Sequence, residues 1–459
     1  MKNLYNELKL EENNIINNLL YNSFLMKVEY WEPHIEKIKL TDLKKLQLKR
    51  LRAQLRRVYE NSPFYRRRFK EAGVTPDDLK TLDDLRKFPF TTKDDLRNYG
   101  YPYGGEFLAV PFDELVGWHM TSGTTGKPTV GPYTKNDIEL WTNLVARCLV
   151  AAGVSKKDVL LNIYGYGLFT GGLGLHYGAM AVGAKVIPWG VGRTEALVDL
   201  IYEWKPTVMT GTPSYQLYIL ETIRKRGLDP KKSSIRITIP GAEAMSFEML
   251  KRIDEGYGLK EKGGGPRQIY GSTEIIGPGA GQATPCTEYL GFHMWTDHVY
   301  IEIIDPKSGE PVGEEGEGEL VITHLTREGM PLIRYRQRDI VKVQYVSTDC
   351  GRDAFPVVDV VGRVDDLIFY KGTKIYPSAI QSVLMKIPEI LEYQVIIDKR
   401  SVEHKFIIRA EVLNQSQELA EAIANLVEGA VFARPQVELV PPNTLPRWEG
   451  KSKRVVVYE

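Results

Sequence analysis

Short β-rich runs alternate with amphipathic helical stretches between residues 115 and 260, which predicts an α/β protein whose mainly parallel sheet is flanked by helices. Two further observations complete the outline. Beyond residue 295 the pattern turns hairpin-like, in HVYIEIIDPKSGEPVGEEGEGELVITHL. After Gly362 a separate α+β pattern begins, long enough for a domain of its own. The expected division is an N-terminal extension at 1–25, a large domain at 26–362 and a small C-terminal domain at 363–459.

Each element has a local reason. Apolar residues at three- and four-residue spacing, among many Lys and Arg, predict helix over 41–73, interrupted at Asn61-Ser62-Pro63. The segment TTKDDLRN after Thr91 has the composition of a capped helix start. VGWHM reads as a strand and a glycine loop follows. DIELWTNLVARCLVAAGV, RTEALVDLIYEW, YQLYILETIRKRG and FEMLKRIDEGYG read as helices. VLLNIY, AKVIPW, TVMTGTP and IRITIP between them read as strands. In the small domain, KIYPSAIQSVLMKI and ELAEAIANLVEGAVF read as helices around YQVIIDK, KFIIRAEV and VELV.

Composition narrows the function. The chain has 459 residues, with 60 Lys and Arg against 59 Asp and Glu. A net charge of +1 gives no broad footprint for nucleic acid or an anionic membrane. Three cysteines cannot build a disulfide framework and fit a reducing cytoplasm. No run supplies the roughly 20 uninterrupted apolar residues of a membrane span. The N-terminus is acidic and Asn-rich where a signal peptide is basic and then apolar, and no function is assigned to residues 1–25.

Five segments carry chemistry. In Thr121-Ser122-Gly123-Thr124-Thr125-Gly126-Lys127-Pro128, glycines leave backbone N–H groups free to surround phosphate oxygens, and hydroxyls and a lysine add donors. A plain surface turn is the competing reading, and the spacing is not the Walker pattern. Tyr270-Gly271-Ser272-Thr273-Glu274 follows a strand-like run, and its acid offers oxygen to a hard cation. Tyr335-Arg336-Gln337-Arg338-Asp339 reads either as a structural ion pair or as a carboxylate for paired ribose hydroxyls. Gly362-Arg363-Val364-Asp365-Asp366 lies at the domain boundary, where a hinge would sit. Leu445-Pro446-Arg447-Trp448-Glu449-Gly450-Lys451 reads either as a solvated tail or as a functional lysine loop.

In this order and spacing the five resemble the adenylate-forming (acyl-CoA synthetase) superfamily, and most closely its phenylacetate–CoA ligase branch. NSPFYRRRF, PFTTKDDLR, YGYGLFTGGLGLHYGA and GPRQIYGSTEIIGPG carry the closer likeness, from about residue 26 to the end. The resemblance implies a large adenylate-forming domain and a small mobile one, with ATP, Mg²⁺ and coenzyme A as cofactors. It implies that Thr121 to Lys127 hold the ATP phosphates and that Gly241-Ala242-Glu243 lie against adenine. Tyr270 and Gly271 belong to the same nucleotide site. Thr273 and Glu274 match the α-phosphate and Mg²⁺ contacts, Asp339 the ribose carboxylate, and Arg363 a second nucleotide contact. Asp365 matches the hinge, and Lys451 the lysine between carboxylate and α-phosphate. Gly372 lies near the residues that would replace Lys451 for thioester formation.

Tyr164, Tyr166 and Phe169 match the acyl pocket; aromatic rings among glycines favour an aryl or arylacetic acid, phenylacetate first, although core packing explains such rings too. Gln337 and Ser272 depart from the commonest patterns. Cys286, His293 and Cys350 match three positions of a zinc set found in some relatives. Thr348 stands at the fourth, which leaves a tetrahedral site incomplete unless Asp349, His298 or water fills it. Buried structural cysteines are the alternative. Transfer to a carrier protein or another nucleophile in place of CoA, a non-catalytic nucleotide-binding regulator, and a homodimer all stay open.

Overall fold

The computed structural model describes residues 28–121, 127–370, 373–400, 404–449 and 451–458. Residues 1–27, Ser122, Gly123, Thr124, Thr125, Gly126 and Gly372 therefore lie outside the described residues.

Helix α1 (Leu40–Asn61) buries Leu43, Leu51, Leu55 and Val58, while Lys45, Lys49, Arg52 and Arg56 face solvent. It stops where the sequence is punctuated. Ser62 is extended, its hydroxyl accepts the Tyr65 N–H, and Pro63 opens α2 (Pro63–Glu71). The Thr92 side chain begins α3 (Lys93–Tyr99) with a reciprocal capping box to Asp95.

The five-stranded sheet is wholly parallel. In space its strands run β4 (Lys185–Pro188), β3 (Val159–Asn162), β5 (Val208–Gly211), β6 (Ile237–Pro240), β7 (Gly265–Pro266). Helices α4 (Lys135–Ala151), α5 (Thr170–Val182), α6 (Thr194–Trp204), α7 (Pro213–Lys225) and α8 (Phe247–Tyr257) connect and flank it. Strands β5 and β6 are buried along their length, as a sheet covered on both faces requires. Tyr164 lies just beyond the carboxyl end of β3 and Gly241 just beyond that of β6.

Helix α5 lies inside the glycine-rich stretch that sequence periodicity leaves without a helix. Four of its thirteen residues are glycines that lower helix propensity, namely Gly171, Gly172, Gly174 and Gly178. Packing overrides propensity here. A Cβ on Gly174 would fall inside contact distance of the Trp141 ring, and one on Gly178 would meet Val145. The glycines let α5 approach α4 closely, and that burial holds the helix.

The larger sheet is antiparallel and has eight strands. Their spatial order is β12 (Pro311–Gly313), β11 (Val299–Ile304), β13 (Gly316–His324), β14 (Tyr335–Gln344), β15 (Val357–Arg363), β10 (Phe292–Met294), β9 (Gly277–Gln282), β8 (Ile269–Ser272). The hairpin texture thus starts at residue 269, earlier than sequence alone indicates. Strands β1 (Leu115–Met120) and β2 (Val130–Thr134) pair around the glycine loop.

Beyond a short hairpin of β16 (Ile368–Tyr370) and β17 (Thr373–Ile375), helices α9 (Pro377–Leu384) and α10 (Gln417–Val431) pack on a mixed sheet. Its order is β20 (Gln436–Val440), β19 (Lys405–Val412), β18 (Ile390–Asp398), β21 (Val455–Tyr458). This unit has its own apolar cluster, which Met249 of α8 also joins. Strand β21 pairs parallel with β18, so the sheet anchors the chain immediately after Lys451. Among the described residues no helix is long and apolar enough to cross a membrane.

Candidate active site

The glycine loop is closed at its base by two threonines. Thr121 N–H donates to the Thr129 carbonyl at 3.0 Å, and Thr129 N–H donates to the Thr121 hydroxyl at 3.0 Å. The Thr129 hydroxyl also donates to Glu274 Oε1 at 2.8 Å. One side chain therefore ties the loop to the acid of the Tyr270–Glu274 segment. Lys127 is exposed, with Nζ 5.8 Å from the centre of the Tyr101 ring. Glu274 is buried and its carboxylate faces the Thr129 hydroxyl, while the Arg327 guanidinium donates to its backbone carbonyl at 2.9 Å. Beside it Thr273 is buried, and Gly271 cannot be larger because a Cβ there would strike the Gly277 carbonyl.

The nucleotide-contact candidates meet at Asp339. The Tyr270 hydroxyl donates to Asp339 Oδ2 at 2.6 Å, and Arg363 Nη1 donates to Oδ1 at 2.5 Å. Burial raises the Asp339 carboxyl despite the Arg363 charge and the Tyr270 hydrogen bond. Next to it Arg338 holds a left-handed backbone at φ 67°, and its guanidinium reaches Asp365 at 3.1 Å and Glu319 at 3.4 Å. The expected hinge residue is thus bound to β14, the strand that carries Asp339.

Gly241, Ala242 and Glu243 leave the end of β6. Ala242 is also left-handed, at φ 69°. Glu243 accepts from the Ser214 hydroxyl at 2.6 Å and from the Ser452 backbone N–H. Lys451 sits with Nζ 5.5 Å from the centre of the Phe169 ring. Burial lowers its pKa first, the Arg363 charge lowers it further, and Glu243, Glu274 and Asp339 act in the other direction. The lysine therefore shares one field with the three acids and the arginine that the sequence singled out separately.

The aromatic stretch divides. Tyr164 and Phe169 pack with ring centres 6.2 Å apart, and the buried Tyr164 hydroxyl lies against Gly241 without a hydrogen-bond partner of good geometry. Tyr166 turns to the other side, where its hydroxyl accepts from Asn162 Nδ2 at 2.7 Å and lies 3.2 Å from His176 Nδ1. Phe169 is near Lys451 and Tyr164 packs on Phe169, whereas Tyr166 is engaged with β3 and α5.

Cys286, His293 and Cys350 come together, with the Cys286 and Cys350 side chains hydrogen-bonded to each other. His293 Nε2 lies 3.5 Å from Cys350 Sγ, and the Thr348 hydroxyl contacts the same sulfur at 2.9 Å. The other His293 nitrogen faces the Phe355 carbonyl at 3.2 Å. Among the described residues no group of three or more His, Cys, Asp and Glu is arranged to hold a metal ion. The Thr348 hydroxyl, and not a further thiolate, lies against the Cys350 sulfur, and zinc is not carried further.

Sequence reasoning missed Thr129, Arg327 and Ser214. Thr129 had a readable signal, since it ends the same loop that Thr121 begins. Arg327 and Ser214 act through folded proximity, across 53 and 29 residues respectively.

Comparison with known proteins agrees with this geometry. Residues 57–326 match the AMP-binding enzyme family, and residues 372–457 match the AMP-binding enzyme C-terminal domain. The chain is 40% identical to a phenylacetate-coenzyme A ligase of Thermus thermophilus, over 93% of this chain and 99% of that protein. Among solved structures it is similar to 2-hydroxyisobutyryl-CoA ligase in the postadenylation state with 2-HIB-AMP. That match has a TM-score of 0.86 at 27% identity, over 95% of this chain and 94% of the other. Against the same ligase with CoA in the thioesterification state the TM-score is 0.70, at 28% identity and over 94% and 92% of the two chains. The chain as a whole therefore superposes better on that ligase's postadenylation structure than on its thioesterification structure. With matches of this extent, the chain belongs to the AMP-binding enzyme family, in its phenylacetate–CoA ligase group of ATP-dependent, AMP-forming acid–thiol ligases.

Proposed function

We propose that this enzyme activates an aryl or arylacetic acid, phenylacetate first, and passes the acyl group to coenzyme A. The observation that carries the reading is Lys451 held over Phe169 in the field of Glu243, Glu274 and Asp339. A carboxylate is a poor electrophile and must be activated before a thiol can attack it. Its oxygen attacks the α-phosphorus of ATP, the bond to the bridging oxygen breaks, and pyrophosphate leaves. Both reactants are anions, so the Lys451 charge between them stabilises the transition state. The loop from Thr121 to Lys127 takes the outer phosphates, and Asp339 accepts the ribose hydroxyls beside Arg363. The CoA thiol then attacks the acyl carbon and AMP departs.

Glu274 fits a hard cation, because its buried carboxylate faces the Thr129 hydroxyl and, among the described residues, no side-chain cation forms an ion pair with it. We assign Mg²⁺ there, where it would offset phosphate charge. The working division is a large domain at 26–362 and a small one at 363–459, turning about Asp365. Three free thiols fit the reducing cytoplasm.

Tyr164, Phe169 and the glycine-lined backbone favour a flat ring near Lys451. The test is kcat/KM for phenylacetate, benzoate, acetate and a long-chain acid, scored by AMP and acyl-CoA with and without CoA. Phenylacetate should lead, and a preference for acetate or the long chain overturns the aryl pocket. One methylene is worth only about 1–3 kcal/mol in an apolar pocket, so benzoate should trail by a modest factor. Acyl-AMP accumulating without conversion in the presence of CoA would indicate another acceptor.

A further inference from the structure

Lys451 owes its place to its neighbours in sequence. Four side chains or backbone groups of the surrounding segment reach the large domain. Glu449 accepts from the Thr194 hydroxyl at 2.8 Å, Ser452 N–H donates to Glu243, and Arg454 donates to the Ser214 hydroxyl at 2.9 Å. The fourth, Arg447, differs from these in kind. Its guanidinium is shared between two carboxylates, one from each domain. Two hydrogen bonds, at 3.0 and 2.6 Å, go to the fully buried Glu411 on β19 of the small domain. Two more, at 2.8 and 3.0 Å, go to Glu221 on α7 of the large domain. Next to this pair, Lys225 of α7 donates to Asn443 of the small domain at 2.6 Å and also pairs with Glu221 at 2.8 Å.

The two halves of this arrangement have different fates when the small domain turns. Glu411 travels with Arg447, so that half is part of the small domain's own fold. Glu221 stays on the large domain, so its bonds exist only while the domains sit as they do here, in a chain that superposes better on the postadenylation structure. Planar, two-point contact between guanidinium and carboxylate is directional, and both partners are mostly shielded from water, which preserves its strength. Among the described residues, neither side chain bonds to Thr121, Glu274, Asp339, Phe169 or Lys451.

We propose that Arg447 and Glu221 form an interdomain clasp that positions Lys451 for acyl-adenylate formation and must open before thioester formation. The pair thereby sets how the enzyme divides its time between the two half-reactions. Glu221 is a positioning residue, acting on the chemistry through Arg447 and the chain that leads to Lys451. The inference rests on Lys451 being the adenylation lysine.

The test uses the full-length enzyme and Glu221→Gln, which removes the charge, keeps the shape and leaves Arg447 its Glu411 partner. Two rates are measured on one preparation: pyrophosphate release from ATP and phenylacetate, and thioester formation from preformed acyl-AMP and CoA. The clasp predicts that kcat for the first falls about tenfold with little change in the KM for ATP, while the second is unchanged or faster. Equal loss in both, or loss in neither, overturns it. A parallel Lys451→Ala separates the premise from the proposal. If Lys451→Ala spares adenylation, the lysine's role fails; if it abolishes adenylation and Glu221→Gln does not lower it, the clasp alone fails. Should Glu221→Gln not fold, Lys225→Cys with Asn443→Cys joined by a short bismaleimide decides the matter. The joined enzyme should form acyl-AMP and stall before acyl-CoA, and undiminished acyl-CoA turnover overturns the clasp.

Discussion

Asp339 on β14 and Arg363 at the end of β15 are register partners in adjacent antiparallel strands, and their side chains meet at 2.5 Å. The pairing does more than join two charges. With Arg363 on one oxygen and the Tyr270 hydroxyl on the other, the carboxylate plane is fixed from both sides. A carboxylate so held is ready to accept paired hydroxyls without reorganising.

Loss of that acceptor should appear in ATP binding. Hydrogen bonds to a charged group contribute about 1.5–3 kcal/mol, so Asp339→Asn should raise the KM for ATP by roughly tenfold to a hundredfold. Tyr270→Phe removes one neutral donor worth about 1 kcal/mol and should raise it severalfold. Steady-state kinetics at saturating acid and CoA measure both, and an unchanged KM in both variants would remove Asp339 from the nucleotide site.

Lys451 should give the enzyme an alkaline limb below the ordinary lysine range. Burial, and then the Arg363 charge, lower its pKa, so the ammonium is lost at a lower pH than in water. The cation is the active form, and activity must therefore fall as pH rises through that pKa. The limb should be visible in kcat/KM for ATP, which reports the free enzyme, and should shift upward in kcat, where bound phosphates favour the cation. Lys451→Arg should abolish the limb while retaining part of the adenylation rate. A limb that persists unchanged in Lys451→Arg belongs to another group.

The glycines of α5 should prove to be packing residues. Gly174→Ala inserts a methyl against Trp141, and overpacking of this kind costs about 1–3 kcal/mol. Gly167→Ala, in the same stretch but with open space around it, should be close to neutral. Denaturant midpoints of the two variants make the comparison. Equal stability would mean that α4 and α5 can separate freely.

What sequence reveals about this protein follows the range of the forces involved. Helix α1, its stop at Asn61 and the cap at Thr92 were legible because spacing and capping are local. The parallel sheet was legible from its alternation of strands and helices. Helix α5 was not, because its glycines argue against a helix until Trp141 and Val145 of another helix are brought beside them. In the site, Thr121, Glu274, Asp339 and Lys451 could be named because each lies in a recognisable segment. The bonds that organise them could not. Thr129 to Glu274 spans 145 residues, and Arg447 to Glu221 spans 226. The cysteine set shows the opposite case. Residue types and order suggested zinc, whereas among the described residues no group of three or more His, Cys, Asp and Glu is arranged to hold a metal ion, and the Thr348 hydroxyl lies against the Cys350 sulfur.

That difference is measurable. A threonine hydroxyl does not replace a thiolate on zinc, so protein purified without chelator should carry well under one zinc per chain. Thr348→Cys supplies the missing thiolate beside Cys350 and should raise zinc content toward one. Elemental analysis of both proteins checks this, and stoichiometric zinc in the unaltered enzyme would contradict it.

Thr129 provides the sharpest test of how the site is assembled. Its hydroxyl is the donor to Glu274 at 2.8 Å and also lies 3.2 Å from the Thr121 hydroxyl, whereas its backbone bonds to Thr121 do not depend on the side chain. Thr129→Val keeps the shape and the backbone bonds and removes only the hydroxyl. Glu274 then loses a fixed partner within a buried site, and one charge-assisted bond is worth about 1.5–3 kcal/mol. Pyrophosphate release should fall by about tenfold or more, and half-maximal rate should require more Mg²⁺, because the acid is no longer oriented for the cation. Thr129→Ser restores the hydroxyl and should recover most of the rate. Thioester formation from preformed acyl-AMP should be nearly unaffected in both, since pyrophosphate has already left. If valine and serine behave alike, the hydroxyl has no part in orienting Glu274, and the loop is held by its backbone alone.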